Sequence, residues 1–282
     1  MTSLEDAINQ MVEFGLEIDM PITDGKLHKA RYMGERRKSG WYAIHEYKNL
    51  FTGRYGSWKH SEEGRKIKRR VSVDLDNDEI RKFKKQLREK KIREDELKKK
   101  KQIEARAKSL EVWNKCSEEG SSPYLDRKMI DPCGARFFNS NVVVPMGREG
   151  VMRSLQTIKP DGSKKYLPGG EISGCYFLIN GSGKVALVEG FATGASVHMA
   201  TGWNVAVCFT ASNLTKAAPY FRRKDAIICA DNDFENEVNV GLKYGEIAAK
   251  DLSCDLVYPK GVVDFNDLHV EKGIEELKKC LI

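Results

Sequence analysis

Lys184-Val-Ala-Leu-Val-Glu189-Gly190 and Asp225-Ala-Ile-Ile-Cys-Ala-Asp231-Asn-Asp233 are two apolar runs that each end abruptly in acid. A short continuous apolar run bounded by turn residues reads as a strand buried on both faces of a parallel sheet. The carboxylates then stand at the mouths of the strands, where open α/β sheets bind their ligands. Three acids meeting there, Glu189, Asp231 and Asp233, repel one another unless a cation sits among them. Carboxylate oxygens are hard ligands and suit Mg²⁺.

Working outward, the chain after Lys184 alternates strands and helices. Strand 184–188 precedes a helix around Gly194–Thr201. Strand 203–209 precedes Ser212-Asn213, which reads as the N-cap of a helix reaching Arg223. Strand 225–230 precedes a helix over Val240–Leu252. Strand Cys254–Tyr258 leads through Pro259 into a loop, Asp264-Phe-Asn-Asp267, and a last helix runs from Glu271 to Leu281. Repeated strand–helix units predict a parallel sheet flanked by helices on both faces. Asp264 and Asp267 add two carboxylates after a later strand. Phosphoryl transfer asks little covalent chemistry of a protein, but it does need cations on the phosphate oxygens and a held geometry.

Upstream, Asn141-Val-Val-Val-Pro-Met, the turn Gly147–Gly150 and Val151-Met-Arg-Ser-Leu-Gln-Thr-Ile predict a hairpin. The basic loop Ser163-Lys-Lys-Tyr-Leu-Pro-Gly-Gly170 follows, and Arg153, Lys164 and Lys165 are candidate phosphate contacts. Residues 77–118 predict a long, charge-dense connecting helix. Its sparse apolar stripe is Ile80, Phe83, Leu87, Ile92, Leu97, Ile103, Leu110 and Trp113, interrupted by Lys98–Lys101, and Gly120-Ser-Ser-Pro123 ends it. From Asp24 to Lys59 short strands alternate with turns at Asn49, Gly53 and Gly56. Trp41, Tyr42, Tyr47, Phe51, Tyr55 and Trp58 are interleaved there with cations. Most of these rings read as the core of a small sheet, with Arg36, Arg37, Lys38 and Arg54 as candidate phosphate contacts. Residues 1–20 predict one amphipathic helix through Leu4, Ile8, Met11 and Leu16, stopped by Pro21.

Composition bounds the class. The 282 residues carry a net charge of +7, unevenly spread. From Val185 onward there are 10 Lys and Arg against 14 Asp and Glu, a net of −4, which leaves +11 for residues 1–184. A basic front and an acidic back predict polyanion binding beside metal-dependent chemistry. No apolar run reaches the ~18 residues of a membrane-spanning helix, and the N-terminus does not read as a secretory signal. The seven cysteines are scattered and lack a Cys-x-x-Cys pair. They read as reduced thiols of a cytoplasmic protein, with no zinc site expected.

The Glu-Gly strand end, the Asp-x-Asp strand end and the later Asp cluster together resemble the TOPRIM domain shared by bacterial-type primases, topoisomerases and some nucleases. Leu167-Pro-Gly-Gly170, Ser173-Gly-Cys-Tyr-Phe177, Glu189-Gly-Phe-Ala-Thr-Gly194 and Asp264-Phe-Asn-Asp-Leu-His269 are similar to the phage and plasmid (mobile element) primase branch. The resemblance implies an α/β fold with a C-terminal TOPRIM parallel sheet over 184–282. A small mixed α+β subdomain at 121–183, a charged helical connector at 76–120 and a small aromatic, basic N-terminal β region at 1–75 would precede it. It implies a DNA primase that builds short RNA primers on single-stranded DNA from nucleoside triphosphates. Glu189, Asp231 and Asp233 would be catalytic and would hold Mg²⁺ or Mn²⁺, supported by Asp264 and Asp267. Many such primases have an Asp four residues after the glutamate, where this chain has Thr193. The Cys-based zinc module of cellular primases is absent, and no Gly-x-x-x-x-Gly-Lys-Ser/Thr loop occurs, so a separate replicative helicase is the expected partner. A TOPRIM nuclease and a non-catalytic nucleic-acid-binding accessory are the alternatives.

Overall fold

The computed structural model describes residues 2–48, 50–58, 61–68, 77–234 and 238–282. The expected turn at Asn49 and the expected boundary near 75–76 lie outside them. The chain forms two compact units, one up to Arg93 and one from Glu94 to Ile282.

The first unit holds α1 (Leu4–Glu13) and a five-stranded antiparallel sheet. Its strands, β1 (Leu16–Glu17), β2 (His28–Tyr32), β3 (Gly40–Tyr47), β4 (Leu50–Ser57) and β5 (Ser61–Lys66), pair in sequence order. The Ser3 side chain accepts from the Asp6 amide and caps α1. The helix stops well before Pro21, because Gly15 turns the chain at φ +106° and Leu16 enters β1 instead. Met11, Leu16, Ile44, Phe51 and Tyr55 form the core. Trp41 and Tyr42 are also buried, while Trp58 is exposed. Most of the aromatics are therefore structural, as a small sheet with little else to bury requires.

Helix α2 (Asn77–Lys115) is continuous. Most of its described stripe does not pack: Ile92, Leu97, Ile103 and Leu110 are exposed, while Leu87 is half-buried. Ala105, Ser109 and Cys116 are buried instead, and Val112 and Trp113 pack with the cluster of Cys116, Val143 and Leu155. The side chains at 80 and 83 lie outside the description. A helix this charged tolerates exposed Leu and Ile, so periodicity alone picked the wrong face.

The second unit continues through α3 (Pro123–Lys128) into a four-stranded antiparallel sheet. Its strands are β6 (Arg136–Phe138), β7 (Asn141–Arg148), β8 (Val151–Ile158) and β9 (Lys164–Tyr166). The main sheet follows with β10 (Phe177–Ile179), β11 (Ser182–Val188), α4 (Phe191–Thr201), β12 (Trp203–Val207) and α5 (Ala211–Ala217). After a 3₁₀ turn come β13 (Ala226–Cys229), α6 (Val240–Leu252), β14 (Asp255–Val257), α7 (Phe265–Lys272) and α8 (Ile274–Leu281). The strand order is β10-β12-β11-β13-β14. β11 lies between β12 and β13 and is parallel to both, and β14 extends the parallel set. β10 adds an antiparallel edge to β12 that the alternating pattern did not predict.

Residues of β11 alternate between two cores. Ala186 and Val188 join Val205, Val207 and Cys229 on one side, where α4, α7 and α8 cover the sheet. Val185 and Leu187 join Ala206, Ile228 and Ala230 on the other, where α5 and α6 pack together. This period of two, apolar on both faces, is what a doubly covered sheet requires.

Candidate active site

The acids predicted at the strand ends stand at one mouth of the main sheet. A cleft of about 340 Å³ opens there, lined by Glu189, Asp231 and Asp264 together with Lys164, Thr193, Tyr124, Arg127 and Lys128, among others.

Glu189 follows β11 directly. Gly190 caps α4, so the turn from strand to helix takes place at the carboxylate itself. Phe209 lies after β12 at φ +71°, a rare conformation for a bulky residue. The Tyr166 hydroxyl donates to its carbonyl at 3.1 Å. The turn beyond it brings the Ala211 amide, the first of α5, to donate to Glu189. Burial, then the charge of Asp233, push the Glu189 carboxyl up to about 7, against the pull of Lys164 and the Ala211 amide. The Lys164 ammonium lies 3.9 Å from where a Cβ on Gly190 would sit.

Asp231 follows β13. Its Oδ1 is buried without a hydrogen-bond partner. Burial, and then the charges of Glu189, Asp264 and Asp233, raise this carboxyl well above its ordinary range. Asp233 accepts from the Gly241 amide at 2.9 Å, and its own amide donates to Asn239 Oδ1 at 3.0 Å. Asn239 in turn caps α6. Gly241 is required here: a Cβ would lie 2.4 Å from the Asp231 carbonyl oxygen.

Asp264 caps α7, its Oδ1 accepting from the Asn266 and Asp267 amides at 2.8 and 2.9 Å. Burial raises its carboxyl. The expected loop at Asp264–Asp267 is therefore a helix start, and the predicted last helix divides at Gly273 into α7 and α8. The cap expected at Ser212-Asn213 falls to Thr210, and α5 ends at Ala217, short of Arg223. Asp267 pairs with Lys128 at 3.2 Å and does not line the cleft. Lys165 is exposed on β9. Arg153 lies opposite the register shift between β7 and β8 and lines a separate pocket with Lys99, Arg106 and Glu171. Arg36, Arg37 and Lys38 follow one another in the exposed turn between β2 and β3, and Arg54 is exposed on β4 in the same unit.

The sequence reading missed α3. Tyr124 brings a buried hydroxyl without a partner, pushed up to about 12 by burial and then by Asp264, and Arg127 and Lys128 bring cations. Pro123 after Ser122 was the available sign of a helix start. The buried Asn266 amide holds this helix in place, donating to the Lys128 carbonyl at 2.7 Å and to Ser196 Oγ at 2.9 Å.

Among the described residues, no three His, Cys, Asp or Glu side chains are drawn close enough to enclose a metal ion. The donor set nevertheless fits one. It is all oxygen, it includes a buried carboxylate oxygen with no donor, and its Glu189 and Asp231 carboxyls are raised by burial and then by neighbouring acids. A hard divalent cation that keeps part of its water shell suits such a cleft.

Residues 184–275, which carry Glu189, Asp231, Asp233 and Asp264, match the Toprim domain family. Beyond that domain, the chain is 24% identical to DNA primase TraC of Escherichia coli over 259 residues, 82% of this chain and 23% of TraC. A second TraC primase of Escherichia coli matches at 24% over 292 residues, 92% of this chain and 20% of that protein. The chain thus spans about a fifth to a quarter of the curated relatives it matches. Among solved structures, the primase fragment of the bacteriophage T7 primase-helicase protein aligns over 58% of this chain and 75% of its own. Its TM-score is 0.45 at 18% identity. The RNA polymerase domain of Mycobacterium tuberculosis primase DnaG aligns over 55% of this chain and 60% of its own, with a TM-score of 0.37 at 14% identity.

Proposed function

We propose that this chain carries the catalytic machinery of a DNA primase of phage, plasmid or other mobile-element type. It would join nucleoside triphosphates into a short RNA primer on single-stranded DNA in the cytoplasm of the cell that houses it. The observation that carries this reading is the buried, unpartnered Asp231 oxygen beside Glu189, in a cleft whose rim also holds Lys164 and Arg127. Acids alone would repel a triphosphate. Acids with cations around them are arranged for a metal-bound one.

Glu189, Asp231 and Asp233 would hold Mg²⁺ or Mn²⁺, with Asp264 and Asp267 supporting from α7. When bound, such ions neutralise phosphate charge and favour displacement at phosphorus. Glu189 serves as a ligand or as the base that takes the proton of the attacking 3′-hydroxyl. Lys164 and Arg127 meet triphosphate oxygens, and Lys165 and Arg153 meet the template backbone. Asp233, bonded to the first turn of α6, is positioned by that helix. Thr193 is a wall of the cleft where related primases place a further acid, and Asp264 supplies the remaining carboxylate. A separate helicase would deliver the template.

The test is a gel of labelled nucleotides on mixed-sequence single-stranded DNA with Mg²⁺ or Mn²⁺, beside end-labelled DNA without nucleotides. Short products lost in Asp231→Asn are expected. Metal-dependent shortening of the end-labelled DNA would instead identify a nuclease. DNA binding with neither reaction would identify an accessory.

A further inference from the structure

The first unit contains a larger opening than the carboxylate cleft, about 700 Å³, lined by Gln10, Glu13, Phe14, Arg54, Tyr55, Arg65, Lys66 and Lys68. Four of these residues are cations and one is an acid. The four cations come from β4, β5 and the stretch just after β5. Arg54 stands opposite Lys66 in the β4–β5 register, and Arg65 stands opposite Tyr55. Among the described residues, none of the four is paired with a carboxylate.

Two devices hold this array. The Arg65 guanidinium lies over the Phe14 ring at 4.8 Å, a cation–π contact that holds it against α1. Gln10 is buried on α1 and grips the Lys68 backbone from both sides. Its Oε1 accepts from the Lys68 amide at 2.7 Å and its Nε2 donates to the Lys68 carbonyl at 3.0 Å. A buried amide spent on one backbone position pins the chain that carries Lys66 and Lys68 alongside Arg54. Unpaired like charges gathered on a fixed frame repel one another, so the arrangement costs stability unless an anion completes it.

We propose that this groove binds the phosphate backbone of single-stranded DNA, independently of base sequence. The ligand is a polyanion with regularly spaced phosphates, since the cations are spread along a strand pair and not focused on one point. The choice of single-stranded DNA rests on the proposed function, while the groove itself uses none of the cleft carboxylates. The proposal adds Arg65, Lys66 and Lys68 to Arg54, one of the phosphate contacts expected of this unit.

The test is fluorescence anisotropy of labelled oligo-dT with the full chain across a salt series. Each lost phosphate contact on a single strand lowers the log–log salt slope by about 0.7. Arg54→Gln/Lys66→Gln/Lys68→Gln is expected to weaken binding by about tenfold or more and to lower the slope by about 2. Lys68→Gln alone, which disturbs no packing, is expected to lower it by about 0.7. Lys98→Gln/Lys99→Gln/Lys100→Gln on α2 makes the same change in net charge and is expected to leave most of the slope. Unchanged affinity and slope in both groove variants would overturn the proposal, as would an equal loss in the α2 variant. Displacement of the oligonucleotide by ATP at equal phosphate concentration would overturn it in favour of a nucleotide pocket.

Discussion

At Asp231, a carboxylate oxygen is shut away from water with no donor to meet it, and three other acids lie within electrostatic reach. Burying such a group is unfavourable for the charged form, so its proton is held more tightly than in the unfolded chain. The same holds for Glu189, pushed from 4.5 up to about 7. The sign follows from linkage. A carboxyl whose folded pKa is raised contributes stability below its unfolded pKa and loses it as pH rises through the folded value. In EDTA, the melting temperature of wild type minus that of Glu189→Gln is therefore expected to fall between pH 4.5 and pH 7 to 8, and Mg²⁺ at pH 8 is expected to recover part of the loss. A difference that does not change with pH would contradict this assignment. Asp231→Asn is expected to cut primer synthesis by on the order of 100-fold or more, since even outer-shell partners of a metal cost about 10–100-fold. The same variant is expected to melt no lower than wild type in EDTA, since it removes a buried charge. Glu189 and Asp231 were legible in the sequence because each directly follows an apolar run, and Asp233 because it completes an Asp-x-Asp pair with Asp231. Tyr124 and Arg127 were not, because nothing local to α3 indicates what it faces.

Helix starts decide how the acids are held. Asp264 is a cap, Asp233 bonds the first turn of α6, and Glu189 receives the first amide of α5. The sequence reading found α6 at its true bounds because Asn239 caps an ordinary amphipathic run. It read Asp264–Asp267 as loop because caps and loops share residue types, and only the packing of Phe265 and Asn266 into the core separates them. Two expectations belong here. Gly241→Ala would press a methyl against the Asp231 carbonyl, costing about 1–3 kcal/mol and displacing Asp233, so both melting temperature and primer yield are expected to fall. Asn266→Ala would orphan the Lys128 carbonyl and is expected to cost about 1–3 kcal/mol in denaturant unfolding. A loss of primer synthesis larger than the loss of folded protein would show that α3 is being positioned for the cleft.

Across the whole molecule the charge is divided as the sequence divides it, with cations gathered in the first 184 residues and the carboxylate cleft after them. The alternation of strands and helices gave the parallel sheet. It did not give β10, because a three-residue strand pairs through a partner far along the chain and carries no period of its own. The buried Asn213 amide explains that segment: it donates to the Cys175 and Cys208 carbonyls at 2.8 Å each and accepts from the Gly174 amide, tying 174–175 to the end of β12. Binding and chemistry are expected to separate. EDTA should abolish nucleotide transfer and leave oligo-dT anisotropy unchanged, while raised salt should weaken the anisotropy signal steeply.

The most direct measurement is a Mn²⁺ titration followed by the electron paramagnetic resonance signal of the free aquo ion, on wild type and on Asp231→Asn. Uptake of Mn²⁺ by wild type, competed by Mg²⁺ and lost in the variant, is the predicted result. Equal uptake by both proteins, or none by wild type in the presence of a nucleoside triphosphate, would contradict a metal-dependent site at these carboxylates.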